Sequence, residues 1–231
     1  MLDRLRKEVY KANLALAKSG LVTLTWGNVS GIDRAKGKIV IKPSGVDYDK
    51  LTAADMVVVD MKGNVVEGKY RPSSDTPTHT LLYSAFPAIG GIAHTHSAYA
   101  TMFAQACMEI PCFGTTHADL FNGSVPVTRF LTEIEVEADY ESNTGKVIIE
   151  RFASMDASHF PGVLVAGHAP FTWGSNSSNA VQNAIALESI AQMALGTLQL
   201  KPDTSELPRY ILAKHFQRKH GPDAYYGQKK K

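Results

Sequence analysis

Apolar residues at Leu2, Leu5, Val9, Ala12 and Leu16 recur at steps of three and four, which predicts one helix, and Gly20 supplies its stop. The period then changes. "LVTLTWGNVSGID" (21–33) alternates and breaks at Gly27-Asn28, as a strand running into a turn. "KIVIKPSG" (38–45) reads as a short strand ended by Pro43. Thr52-x-x-Asp55 resembles a capping box with Asp in place of Glu, and "MVVVDMKGNVVEG" (56–68) reads as a hairpin around Lys62-Gly63-Asn64. A helix is expected over 73–86, with Thr76 as N-cap and Pro77 at its first position.

The apolar run "GGIAHTHS" (90–97) predicts a strand, and a helix over about 97–106 follows it. Residues 111–150 read as short strands and loops, with "KVIIERF" (146–152) as the clearest strand. "PGVLVAGHAPFTWG" (161–174) reads as one further buried strand. Ala180, Ala184, Leu187, Ala191, Ala194 and Leu198 then share a face of a long helix capped by Asn176 or Ser178. A last helix over 206–219 leads to the tail "HGPDAYYGQKKK". Strands interleave with helices, so the class is α/β. With no Gly/Ser/Pro-rich linker and no internal repeat, one domain over 1–231 is expected, residues 221–231 being a C-terminal tail.

Composition narrows the function. A hydrophobic content of 44% with 20% charged residues is that of an ordinary soluble protein. A net charge of +2 argues against an electrostatic nucleic-acid binder. No apolar run approaches the roughly 18–20 residues that cross a bilayer, and the charged N-terminus lacks the apolar centre of a signal peptide. A cytoplasmic protein that engages neither nucleic acid nor membrane is expected, which makes the Asn-x-Ser sequons at Asn28, Asn122 and Asn176 irrelevant to glycosylation. Cys107 and Cys112 fit neither a redox pair nor a disulfide framework and read as buried free thiols.

The chemistry gathers at the histidines. On a strand, His94 and His96 point to one side, about 7 Å apart at the backbone. A second apolar run, "VLVAGH", ends in His168. Strand ends are where open α/β sheets bind ligands, and three neutral imidazoles with an open position are the ligand set of a catalytic zinc. Asp75, beside a helix start, either completes such a site or only helps cap the helix. The turns "WGN" (26–28), "PSG" (43–45) and "SSD" (73–75) are small enough for backbone N–H groups to approach a phosphate. No Walker A, GxGxxG, HExxH or GxSxG motif is present.

Seven stretches in order make a resemblance specific: "LVTLTWGNVSGID", "IVIKPSGVDYDKLTAADMVVVD", "RPSSDTPTH", "GGIAHTHSAYAT", "GTTHADLF", "PGVLVAGHAPFTWG" and "KHGPDAYYGQ". From residue 1 to about 228 the chain resembles the class II sugar-phosphate aldolase/epimerase family, and within it the L-ribulose-5-phosphate 4-epimerases. The resemblance implies a three-layer α-β-α fold around a mixed, largely antiparallel sheet. It implies Zn2+ held by His94, His96 and His168 with Asp75 beside or on it; Mn2+ and Co2+ accept such ligands too. It places the substrate phosphate against Gly27, Asn28, Ser44, Gly45, Ser73 and Ser74, with Lys42 nearby, and makes Asp119 and Tyr226 the acid and base. It also implies a homotetramer with active sites between subunits. Related aldolases usually carry glutamate at the position of Asp75, which favours the epimerase.

The implied reaction interconverts L-ribulose 5-phosphate and D-xylulose 5-phosphate by cleaving C3–C4, rotating the bound glycolaldehyde phosphate and re-adding it to a zinc-stabilised enediolate. Two faces need two proton-handling groups. His117 and His215 are secondary candidates that could orient a catalytic group, and Glu141 is a further one. His79, His159 and His220 read as surface residues, and Trp26 and Trp173 as packing beside the site.

Overall fold

The computed structural model describes residues 2–225. The chain runs α1 (Leu2–Lys18), β1 (Gly27–Asp33), β2 (Lys38–Ile41), β3 (Val57–Asp60), β4 (Val65–Glu67), α2 (Thr76–Ala85), β5 (Gly91–Thr95) and α3 (Ala98–Gln105). It continues through α4 (Thr115–Ala118), α5 (Glu133–Arg151), β6 (Gly162–Leu164), β7 (Pro170–Gly174), α6 (Ser177–Leu200) and α7 (Arg209–His220). The strands form one sheet in the order β4-β3-β2-β1-β5-β7-β6. Every pairing between these strands is antiparallel. Among the described residues, the expected mixed character reduces to one isolated parallel bridge, Val127 to Leu164, outside the strand pairs.

Strand alternation builds three layers. On one face Ile39, Ile41, Val57, Val59, Ile92, Phe171 and Trp173 pack against Leu82 and Tyr83 of α2 and Ile148 of α5. On the other, Val40 and Val58 meet Val9 of α1, while Val29 and Ala93 meet Leu16 of α1 and Ala180 and Ala184 of α6. The stripe that predicted α1 is the stripe it buries. Asn176, rather than Ser178, caps α6 by accepting the Asn179 N–H at 2.9 Å.

Five expectations are corrected. The strand expected to break at Gly27-Asn28 instead begins there: β1 covers Gly27–Asp33, and the turn precedes it at residues 23–26. Residues 133–151 are helical, not strands and loops. Thr132 and Glu135 form a capping box, and Asp139 leaves helical geometry and accepts the Ser142 N–H, starting a second helical segment inside α5. Packing on α2 overrides the strand preference of Val147-Ile148-Ile149. Residues 161–174 are a hairpin rather than one strand: the Val165 N–H donates to the Ala169 carbonyl at 3.0 Å, and Gly167 turns the chain at φ +70°. Asp75, rather than Thr76, is the N-cap residue of α2, since the Thr76 hydroxyl donates back to the Ser73 carbonyl. Cys112 is buried, but Cys107, just past α3, is exposed; both are free.

Candidate active site

The central strand β5 carries His94 and places His96 one residue beyond its end. The chain then turns into α3, whose first N–H groups, on Tyr99 and Ala100, donate to the two oxygens of Glu188 on α6 at 2.8 and 2.9 Å. His168 comes from the turn between β6 and β7. These three imidazoles offer ligand atoms lying within 4.8 Å of one another.

His94 lies against Phe171, ring on ring at 4.1 Å, and its Nδ1 donates to the Pro170 carbonyl at 2.9 Å. That bond assigns the hydrogen to Nδ1 and leaves the Nε2 lone pair facing outward. His94 Nε2 is 3.2 Å from His96 Nε2. Ligand nitrogens about 2.0–2.1 Å from a tetrahedral ion stand roughly 3.3 Å apart, so the pair fits two corners of one coordination sphere. Burial draws the His94 imidazole down to about 3, with the His96 charge adding to it. Burial also takes His168 to about 3, assisted by His94 and His96, and lowers His96 against the opposing charge of Asp75. All three rings are therefore neutral at pH 7, the state that binds a cation.

The histidines line a cavity of about 540 Å³ shared with Gly27, Asn28, Lys42, Ser44, Gly45, Ser73, Ser74 and Asp75. Every residue expected to hold metal or phosphate thus opens on one space. Two antiparallel hydrogen bonds stitch its loops together: the Ser44 N–H to the Arg71 carbonyl at 3.0 Å and the Ser73 N–H to the Lys42 carbonyl at 2.9 Å. Asp75 stands outside the cluster of three imidazoles. It makes no side-chain cap bond to α2 and accepts instead from Asn28 Nδ2 at 2.6 Å. Lys42 is buried; its ammonium donates to the Val46 carbonyl at 2.8 Å and lies 4.6 Å from the centre of the Tyr48 ring. Burial lowers it to about 8, against the pull of Asp47.

Two further walls of the cavity are Tyr140 and Glu141. Tyr140 was missed by the sequence reading and Glu141 was only a secondary candidate, because both sit just after the break at Asp139 in the misassigned helix. The Thr132-x-x-Glu135 capping box was the available signal. Tyr140 Oη lies 3.4 Å from His168 Nδ1. Trp26 is exposed, 6.3 Å from the His96 ring, whereas Trp173 is a core residue donating to the Ala157 carbonyl.

Asp119 does not line this cavity in its own chain. It follows α4 and holds α7 to it: Arg218 donates to both its oxygens at 2.9 and 2.6 Å, and His215 Nδ1 lies 3.0 Å away. Burial pushes this carboxyl up, but the Arg218 and His215 hydrogen bonds and the Lys219 charge outweigh it and hold it below the usual range. His117 donates to the Gly123 carbonyl within its own turn. His159 and His220 are exposed as expected, but His79 is fully buried, contrary to its reading as a surface residue. Burial draws His79 to about 4. Tyr226 lies outside the described residues.

The family model for the class II aldolase and adducin N-terminal domain matches residues 7–195. The chain belongs to this family. Among solved structures, an L-fuculose 1-phosphate aldolase is 26% identical, with 93% of this chain and 95% of that chain covered and a TM-score of 0.79. YgbL from Klebsiella pneumoniae, a candidate aldolase/epimerase/decarboxylase, is 25% identical over 91% of this chain and 97% of its own, with a TM-score of 0.72. An L-fuculose 1-phosphate aldolase from Glaciozyma antarctica PI12 shares the fold at 18% identity, 96% and 84% coverage and a TM-score of 0.76. Class II aldolases typically depend on a divalent metal, and the three neutral imidazoles of this chain suit one.

Proposed function

We propose that this protein is a metal-dependent 4-epimerase interconverting L-ribulose 5-phosphate and D-xylulose 5-phosphate. The observation that carries the reading is the single cavity in which three imidazoles, an anchored carboxylate and a set of small, polar, phosphate-compatible turns meet. The hydrogen on carbon 4 of the substrate is not adjacent to the carbonyl, and no redox-cofactor motif is present to oxidise that carbon. Inversion then requires breaking the C3–C4 bond, turning the aldehyde fragment and re-forming the bond on its other face.

A divalent ion, zinc first, would be held by His94, His96 and His168 and would supply Lewis-acid stabilisation of negative charge on the ketose oxygens. Lys42 and the backbone N–H groups around Ser44, Gly45, Ser73 and Ser74 would grip the phosphate and retain the aldehyde fragment while it rotates. Asn28, by donating to Asp75, keeps that carboxylate directed at the cavity. The two proton-handling groups would be Asp119 and Tyr226. Since Asp119 stands outside its own chain's cavity, it would serve the cavity of an adjoining copy in a homotetramer. Arg218 and His215 keep Asp119 in the ionised form that a general base must have.

The second reading is a class II aldolase, favoured by the 26% identity to an L-fuculose 1-phosphate aldolase. One experiment separates the two: NMR of L-ribulose 5-phosphate incubated with zinc-loaded protein and with a chelator-treated control. D-xylulose 5-phosphate formed only with metal supports the epimerase. Net cleavage without the epimer supports the aldolase; unchanged substrate in the metal-loaded sample refutes the proposed reaction and favours an aldolase that releases a small aldehyde and dihydroxyacetone phosphate from another sugar phosphate.

A further inference from the structure

His79 takes no part in the chemistry above. It is fully buried. Its Nδ1 lies 2.7 Å from Ser30 Oγ, which lies 2.8 Å from Tyr83 Oη. Its Nε2 is buried with no hydrogen-bonding partner among the described residues. Counting protons decides the tautomer. If Tyr83 donates to Ser30 and Ser30 donates to Nδ1, both hydroxyl protons are used and the ring hydrogen sits on Nε2. In the reverse order Nδ1 donates to Ser30 and Ser30 to Tyr83, which leaves two buried groups idle, the phenol hydrogen and a bare Nε2. Each idle buried group costs about 1–3 kcal/mol. The first order therefore prevails, and Nε2–H is a buried donor in need of an acceptor.

A matching acceptor belongs to the same layer. Asn28 Oδ1 is also buried without a partner among the described residues. Asn28 precedes Ser30 by two positions on β1, so both side chains rise from one face of the sheet. Asp75 precedes His79 by one helical turn, and the His79 N–H donates to its carbonyl at 3.0 Å. Strand and helix are thus joined by two rungs, Asn28 to Asp75 at 2.6 Å and Ser30 to His79 at 2.7 Å. The idle donor and the idle acceptor belong to neighbouring rungs.

We propose that His79 Nε2–H is joined to Asn28 Oδ1 through one bridging water. The Tyr83–Ser30–His79 chain then fixes the rotation of the Asn28 amide, and Asn28 Nδ2 in turn aims Asp75 at the cavity. An amide turned over would set its oxygen against the carboxylate; His79 prevents this by occupying that oxygen. His79 is a positioning residue, a role that rests on Asp75 being the active-site carboxylate of the reaction proposed above.

The test uses the full-length protein labelled with 15N-histidine. Two-bond 1H–15N correlation should show one ring in the Nε2–H form that disappears in His79→Gln; a His79 ring in the Nδ1–H form overturns the proposal. In steady-state kinetics, His79→Leu should lower kcat roughly 10- to 100-fold, with metal content unchanged. KM should stay within about twofold, as for a lost transition-state interaction. His79→Gln, which keeps an N–H near the Nε2 position, should recover most of kcat; equal losses in the two variants refute the role. Should His79→Leu fail to fold, the tautomer of the parent protein decides. An inactive parent would refute the epimerase while leaving the tautomer result to stand or fall alone.

Discussion

Replacing Lys42 with methionine should stabilise the protein while weakening its grip on substrate. Lys42 is 2% exposed, and burial carries its amine from the ordinary 10.5 to about 8. The Val46 carbonyl, the Tyr48 ring and Asp47 all favour the charged form, so burial prevails against them. A fall of that size is roughly 3 kcal/mol of preference for the neutral amine. Because Lys42 lines a water-accessible cavity, screening brings the working figure to about 1–2 kcal/mol.

Below pH 8 the amine is protonated in both folded and unfolded chains, and the folded chain bears the cost. Between about 8 and 10.5 the unfolded chain holds more protons, so parental stability climbs with pH. Urea unfolding at a series of pH values should therefore find Lys42→Met about 1–2 kcal/mol more stable at pH 7, with the gap closing as pH rises through 8 to 10. The same variant should raise the Michaelis constant for the sugar phosphate. A gap that is absent at pH 7, or that does not change with pH, refutes the reasoning.

Three further outcomes are expected. His96→Asn should lose metal, read as metal per chain by elemental analysis, and lose activity with it; full metal occupancy would contradict the ligand assignment. Asp119→Asn should keep its metal yet slow epimer formation by at least about 100-fold, since an amide cannot accept the proton; parental turnover would sink its role. Gly91→Ala should destabilise by about 3 kcal/mol or more. A Cβ there would run into the backbone of Asn176 and Ser177, where α6 begins. An unchanged melting temperature would contradict that packing.

The histidines and the small polar turns of the cavity were legible in the sequence because those parts are local, whereas Lys42 entered only through the family resemblance and the Tyr140 wall not at all. His94 and His96 need only strand alternation, and Asp75 with Ser73 and Ser74 need only a helix start. What escaped depends on distant partners. Val147-Ile148-Ile149 has the local preference of a strand, and its helix is decided by the caps at Thr132 and Asp139 and by packing on α2. His79 looks like a surface residue until Ser30, 49 positions earlier, is folded against it. Nothing near Asp119 announces Arg218, 99 positions away. The turn carrying His168 hid inside an apolar run, with Gly167 its one mark.

The two halves of the cavity differ in how substitution can reach them. His94 is held in its Nδ1–H tautomer, the one that leaves Nε2 free for the proposed metal, by the main-chain carbonyl of Pro170, and any residue at position 170 retains a carbonyl. Drift in side-chain identity at position 170 cannot remove that lock; only a shift of the β7 backbone can. Asp75 is held by the side chain of Asn28, which a single codon change can take away. Variation that spares the histidines should therefore leave metal affinity robust and expose the carboxylate, so that altered reaction outcomes are reached more easily than loss of the metal.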